Sequence, residues 1–277
     1  MKKLIIVTTF FIFTVATQGF TELSEALAGD LGIEIGLETS HITYEEPGVM
    51  EEKGMMYGVN CSLTYRGWLP PSPAEVDKYM LRIEGRYSYG EVDYDGSLSD
   101  GTPYTIDNID DYMLEFRGLV GYDFFMSETF ILTPYIGYGY RYLHDDVSFD
   151  QYGYGRDSNY FYSPIGIETI TGLGNGWFVG VKLEYDYFWN GMQRSYLSDI
   201  AGYSDAKNRQ NRGYGCRGSI KLRKKGEKID FTVEPFMRYW NIRRSETSYT
   251  TWYGISFSGV EPKNNSEEFG INFTVAY

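Results

Sequence analysis

Several absences set the first limits on this chain of 277 residues. After the first sixteen positions no run of eighteen apolar residues occurs, so no helix spans a bilayer. Basic residues are in deficit: 25 Lys and Arg against 38 Asp and Glu give a net charge of −13, which excludes a general nucleic-acid binder. Two histidines and two cysteines leave no zinc-spaced set and no CxxC pair, and there is no Gly-rich phosphate loop. No cofactor or metal is therefore expected. Cys61 and Cys216 both fall on the apolar face of strand-like runs far apart in order, so small apolar fillers are expected there, not a disulfide.

The chain is rich in aromatics, at 18% with 27 Tyr, and in glycine, with 32 residues. Amphipathic rings in that number suit a bilayer interface more than a soluble core. Mean hydropathy is slightly polar. That does not argue against a barrel, in which only every second residue meets lipid.

The N-terminus has the order of a secretory leader. Met1, Lys2 and Lys3 are followed by an apolar run from Leu4 to Ala16, then by the small-x-small motif Ala26, Leu27, Ala28. Residues 1–28 are read as a signal peptide and 29–277 as one β-barrel domain. A cut near Gly19 and an uncleaved anchor are the alternatives, and the apolar run is short for an anchor.

Ten runs alternate with period two. They are Gly32–Tyr44, Gly54–Arg66, Tyr79–Val92, Tyr112–Phe124, Phe130–Tyr142, Asn159–Ile170, Trp177–Trp189, Gly213–Arg223, Ile229–Asn241 and Phe269–Tyr277. In the seventh, Val179, Val181, Leu183, Tyr185 and Tyr187 alternate with Gly180, Lys182, Glu184 and Asp186. In the last, Phe269, Ile271, Phe273, Val275 and Tyr277 share one face, while Gly270, Asn272, Thr274 and Ala276 share the other. Short connections (125–129, 171–176, 224–228) alternate with long ones (93–111, 143–158, 190–212, 242–267). This is the pattern of short periplasmic turns and long external loops. The expected fold is all-β, a transmembrane antiparallel up-and-down barrel of about ten strands, with eight or twelve as alternatives. The connection 67–78, with Pro70, Pro71 and Pro73, is too long for a periplasmic turn. Pro134, Pro164 and Pro235 fall inside runs, where a bulge or local bend is expected at each.

The segments Leu132–Leu143 and Val233–Trp240, together with the terminal strand, resemble the small bacterial outer-membrane β-barrel proteins of the OmpA-like, OmpW-like and opacity-protein kinds. The resemblance covers essentially the whole chain after the leader. It implies a Gram-negative outer-membrane location and contact with outer-membrane lipid and lipopolysaccharide. It also implies that Phe269, Ile271, Phe273, Val275 and Tyr277 form a C-terminal signal read by the barrel-assembly machinery.

The polar faces are heavily charged: Arg82, Glu84, Arg86, Glu115, Arg117, Arg141, Glu168, Lys182, Glu184, Arg217, Lys221, Glu234 and Arg238. In a narrow barrel these pair across the interior, since an unpaired buried charge is costly. Adjacent-strand parity pairs Arg82 and Arg86 with Glu115, and Arg117 with Glu84. The expected role is structural or surface-exposed, without enzymatic activity. The alternatives are a small-solute or ion channel, and an adhesin or binder of an unknown extracellular ligand through aromatic loops. A remote alternative is an omptin-like protease. That resemblance rests on the acidic pair Asp93 and Asp95 with His144, and it is partial, because the loop 190–212 contains no His. His41 has no evident partner. The acidic loop 93–111 has carboxylates but no EF-hand spacing.

Overall fold

The computed structural model describes residues 31–67, 78–98 and 100–277. The leader and the three clustered prolines lie outside these residues. The described strands are β1 (Leu31–Glu46), β2 (Met50–Gly67), β3 (Lys78–Ser97), β4 (Pro103–Ser127), β5 (Phe130–Asp146), β6 (Gly155–Gly174), β7 (Trp177–Ser195), β8 (Ala206–Gln210), β9 (Gly213–Lys224), β10 (Asp230–Ile242), β11 (Ser248–Trp252), β12 (Ile255–Gly259) and β13 (Asn264–Ala276). Ten of them pair in the order β6-β5-β4-β3-β2-β1-β13-β10-β9-β7, and a β6–β7 ladder closes the ring. Every ladder is antiparallel, and the closed barrel leaves no edge. β13 forms the seam: Phe273 lies opposite Leu37 of β1 and Val233 of β10. No helix among the described residues is long and apolar enough to cross a membrane.

Parity decides which side chains turn outward. On β7, Val181, Leu183, Tyr185, Tyr187 and Trp189 are exposed, while Glu184, Asp186 and Phe188 are buried. Summed around the ring, such positions make an apolar belt. Trp177, Tyr79, Phe231 and Tyr277 border it at the short-turn end, and Tyr57, Tyr89, Trp189 and Tyr214 at the other. Beyond the second border the outward positions become charged: Lys53, Glu91, Asp93 and Asp110.

The strands outrun this belt, which corrects the expected loops. β3 runs to Ser97 and β4 starts at Pro103, so Asp93, Asp95, Asp107, Asp110 and Asp111 lie on paired strands and not in a free acidic loop. Of the two outcomes expected at the prolines, a bulge is absent at the proline itself. At Pro134, Pro164 and Pro235 the register is kept, and two residues drop out of one ladder only. The ladders on their other sides remain paired: Pro134 with Ile167, Pro164 with Asp186 and Pro235 with Ile271. A strand residue donates its N–H to one neighbour, so a missing donor opens one side without shifting the other. The bulge near Pro164 sits instead at Phe161/Tyr162. Cys61 and Cys216 are free thiols on β2 and β9, which are not neighbours.

Glycine makes room inside. A Cβ on Gly139 would come within 2.3 Å of the Tyr162 ring, so the bare backbone is what admits that ring into the lumen.

Candidate functional site: a lumen closed in layers

From the short-turn end upward, the inward positions form four layers. The first borders a cavity of about 250 Å³. There Lys221 Nζ meets Glu34 at 2.9 Å, Arg82 meets Glu168 at 2.7 Å, and Lys182 meets Glu84 at 3.4 Å. Arg66 spans Asp123 and Glu168. Glu234 lines the same cavity and accepts the Ser219 hydroxyl at 2.5 Å.

The second layer is ionic, and its Arg86, Arg117, Arg217 and Arg238 roof the same cavity. Arg86 and Arg238 share Glu38 and Glu268 in a closed quartet. Arg238 is 2.9 Å from Glu38 and 3.2 Å from Glu268, Arg86 is 2.6 Å from Glu38, and Arg86 also bonds Glu268. Beside it, Arg217 reaches Glu115 at 2.5 Å, Asp186 at 2.7 Å and Glu184 at 3.2 Å. Arg117 joins Glu184 at 2.5 Å to Glu84 at 3.2 Å. Tyr162 and Tyr135 donate their hydroxyls to Glu115 and Glu184, at 2.6 and 2.7 Å. Tyrosine thus supplies donors where guanidinium runs out.

These pairs are mostly chords, not rungs. Glu115 on β4 takes Arg217 from β9, Arg82 on β3 takes Glu168 on β6, and Arg86 on β3 takes Glu268 on β13. The expected pairing of Arg82 and Arg86 with Glu115 is therefore replaced, although Arg86 and Glu115 are register partners. The Arg117–Glu84 pair is present. An arginine is long enough to cross a narrow lumen, and a carboxylate on the far wall has the shorter list of competing cations. Glu268 and Arg66 are members that the sequence reading left out. Parity with Gly270 and Asn272 places Glu268 inward, but the terminal run was started one residue too late to include it.

The third layer is an apolar plug. Tyr160, Tyr162, Phe188, Trp240 and Ile242 pack as one cluster, and Ile42, Met56, Val92, Ile109, Met113, Leu143 and Val147 as another. Arg141 lies at its underside. Among the described residues it has no carboxylate partner. Its guanidinium sits 5.7 Å from the centroids of both Tyr160 and Trp240, and one nitrogen lies 3.3 Å from Met113 Sδ.

The fourth layer is the rim, beyond the belt. Arg156 gathers Glu52 at 2.5 Å, Glu46 at 3.5 Å and Asp145. Glu261, from the β12–β13 connection, accepts Gln193 Nε2 at 2.6 Å and its N–H donates to Ser245 Oγ at 2.8 Å. Carboxylates outnumber cations here. Burial, with Asp145 and Glu46 nearby and Arg156 opposing, pushes Glu52 up to about 8. Burial and the adjacent Glu46 push Glu261 up to about 8 as well. Asp111 is raised by burial and by Asp145.

Asp93 and Asp95 do not join His144. The two aspartates lie on the outer face of β3, and Asp93 accepts the Asn108 N–H at 3.1 Å. His144 lies on the outer face of β5, with Nδ1 2.7 Å from Asp157, whose other oxygen accepts the Tyr196 hydroxyl at 2.5 Å. Phe269, Ile271, Phe273 and Val275 occupy the outward face of β13, and Tyr277 follows it, exposed.

No family model and no curated protein matches the chain. Among solved structures, the outer-membrane protease OmpT of Escherichia coli superposes with a TM-score of 0.60 at 11% identity, over 90% of this chain and 96% of that one. The translocator domain of the autotransporter NalP from Neisseria meningitidis gives 0.43 at 11% identity, covering 96% of each chain. The toluene transporter TodX of P. putida gives 0.37 at 9%, over 92% and 91%. The first of these shows a shared fold, that of an outer-membrane barrel.

Two expectations follow. In the quartet, Arg86→Ala leaves Glu38 and Glu268 sharing one guanidinium. Urea unfolding from lipid vesicles should show a loss of roughly 3–5 kcal/mol. The charge-balanced pair Arg86→Met with Glu268→Gln should recover much of it. A neutral single variant would mean that water, not protein, solvates these carboxylates.

At the rim, Glu52 and Glu261 have folded-state pKa values above the ordinary 4.5. The folded rim therefore binds more protons than the unfolded chain. Its stability is full below that ordinary value and falls as pH rises towards about 8. Amide exchange in residues 243–263, corrected for intrinsic rates, should be slower at about pH 5 than at about pH 9. Glu261→Gln should flatten the difference.

Proposed function

We propose that this protein is an integral outer-membrane β-barrel of a Gram-negative bacterium. In this reading it is exported by a cleaved leader and works through its external face, neither conducting solutes nor catalysing a reaction. The belt of exposed apolar and aromatic side chains supports membrane insertion, because an apolar surface of that extent is unstable in water. Its resemblance to small outer-membrane barrels and its shared fold with OmpT support the location. Lipid and lipopolysaccharide would then surround the belt, with the short turns in the periplasm and the rim outside.

The observation that carries the closed-lumen reading is the plug. Tyr162, Met56, Ile109, Met113 and Ile242 are all but inaccessible, and they sit directly above an ionic layer with chords in several directions. An ion crossing this region would lose its water without gaining a free counter-charge. The cavity below the plug is a blind vestibule in this reading. Against enzymatic activity stands the separation of Asp93 and Asp95, on the outer face of β3, from His144 on β5, with Asp93 and His144 each held by other partners.

Planar-bilayer recording tests the reading. The purified protein should give no steady unitary steps in molar salt, while Tyr160→Ala combined with Trp240→Ala should give them by emptying the plug. Large steady steps from the unaltered protein would establish a channel.

A further inference from the structure

The segment from Thr247 to Val260 contains no charged side chain, in a chain of net charge −13. It forms the β11–β12 hairpin at the rim end, with Tyr249 and Tyr253 more than two-thirds exposed and Trp252, Ile255 and Phe257 also open. The hairpin is not loosely held. Residues 202–204, in the β7–β8 connection, run along β11: Tyr253 N–H donates to Gly202 O at 2.8 Å, Ser204 N–H to Thr251 O at 2.9 Å, and Thr251 N–H to Ser204 Oγ at 2.9 Å. Tyr203 thereby stacks on Trp252 with ring centroids 6.0 Å apart, and Tyr253 meets Trp252 edge-on at 5.5 Å.

Two features set this surface apart from ordinary exposed apolar residues. Tyr253 has φ +46°, a left-handed conformation that a bulky side chain adopts at a cost. Gly or Asn would serve the turn better, so strain is spent on keeping a ring at the tip. The rings are also interleaved with hydroxyls: Ser204, Thr250, Thr251, Ser256 and Ser258.

We infer that the Tyr203–Trp252–Tyr253 platform is a binding site for a neutral glycan. A pyranose ring offers C–H groups to the electron-rich ring face and hydroxyls to neighbouring Ser and Thr, and it carries no charge to be matched. The hairpin itself offers no cation to a polyanion such as a sulfated glycan or nucleic acid. A cationic partner would find its counter-charges at the Arg156 carboxylates and not on this hairpin. The platform is ordered by backbone hydrogen bonds before any ligand arrives, so little entropy is lost on binding. This inference deepens the proposal that the external face is the working face, but it does not depend on lumen closure.

Native electrophoresis of the detergent-folded protein through gels containing dextran, laminarin or galactomannan tests it. Retardation is expected in at least one of these neutral polysaccharides and not in dextran sulfate. Trp252→Ala should abolish it. Tyr253→Gly, which suits the left-handed backbone and so should fold at least as well, should weaken it. Heat-modifiable migration of each variant confirms an intact barrel. Unchanged mobility in all three neutral gels overturns the inference, as does retardation by dextran sulfate alone. A dimer of the unaltered protein that Trp252→Ala converts to monomer would overturn it too, by assigning the surface to a second copy of the chain. None of these outcomes bears on bilayer conductance, so the closed-lumen reading stands or falls separately.

Discussion

Charge turned into a narrow lumen governs this structure. Four arginines and five carboxylates occupy the middle of the lumen: Arg86, Arg117, Arg217 and Arg238 with Glu38, Glu115, Glu184, Asp186 and Glu268. Each must find its counter-charge within the barrel radius, because leaving one buried and unpaired costs several kcal/mol. Barrel size, strand number and lumen composition are therefore one problem. A wider ring would let in water and loosen the chords, and a narrower one would have no room for guanidinium groups. Glycines such as Gly139 on the inner wall fit the same constraint, since they admit the Tyr162 ring whose hydroxyl completes Glu115.

The layers divide the labour along the barrel axis. Ion pairs in the middle hold opposite walls together. The aromatic and aliphatic plug above them excludes water and so strengthens the pairs it covers. The rim is the opposite case, with several carboxylates around one guanidinium and no plug above it. It is tuned by protons where the middle is tuned by arginine. An identical chemistry, Asp and Glu turned inward, thus gives a fixed brace at one height and a pH-responsive collar at another.

Much of the fold was legible because lipid and lumen impose period two, and Val179 to Trp189 alone establishes which face is which. Inward parity marked Arg82, Glu115 and Arg217 as lumen residues for the same reason. Their partners were not legible. Parity says that two side chains face the same space, but not at what height, and strand tilt brings Arg217 to Glu115 from four strands away. Long loops were overestimated because, beyond the belt, the alternation inverts: charged residues such as Asp93 and Asp110 face outward while Val92 and Ile109 face in. The tip platform was visible only as scattered aromatics. The hydrogen bonds that align Tyr203 with Trp252 join segments nearly fifty residues apart.

The shared fold with OmpT establishes a scaffold, and scaffolds of this kind host unrelated activities. The proposed function of this chain rests on a seal between vestibule and rim. Thiol accessibility measures it most directly. In a background with Cys61 and Cys216 replaced by Ala, single cysteines at Ser62, in the vestibule wall, and at Met56, within the plug, are exposed to a small charged thiol reagent from the short-turn side. The account predicts rapid modification of Ser62→Cys and protection of Met56→Cys. Equal rates at the two positions would show a continuous aqueous path and contradict a closed lumen.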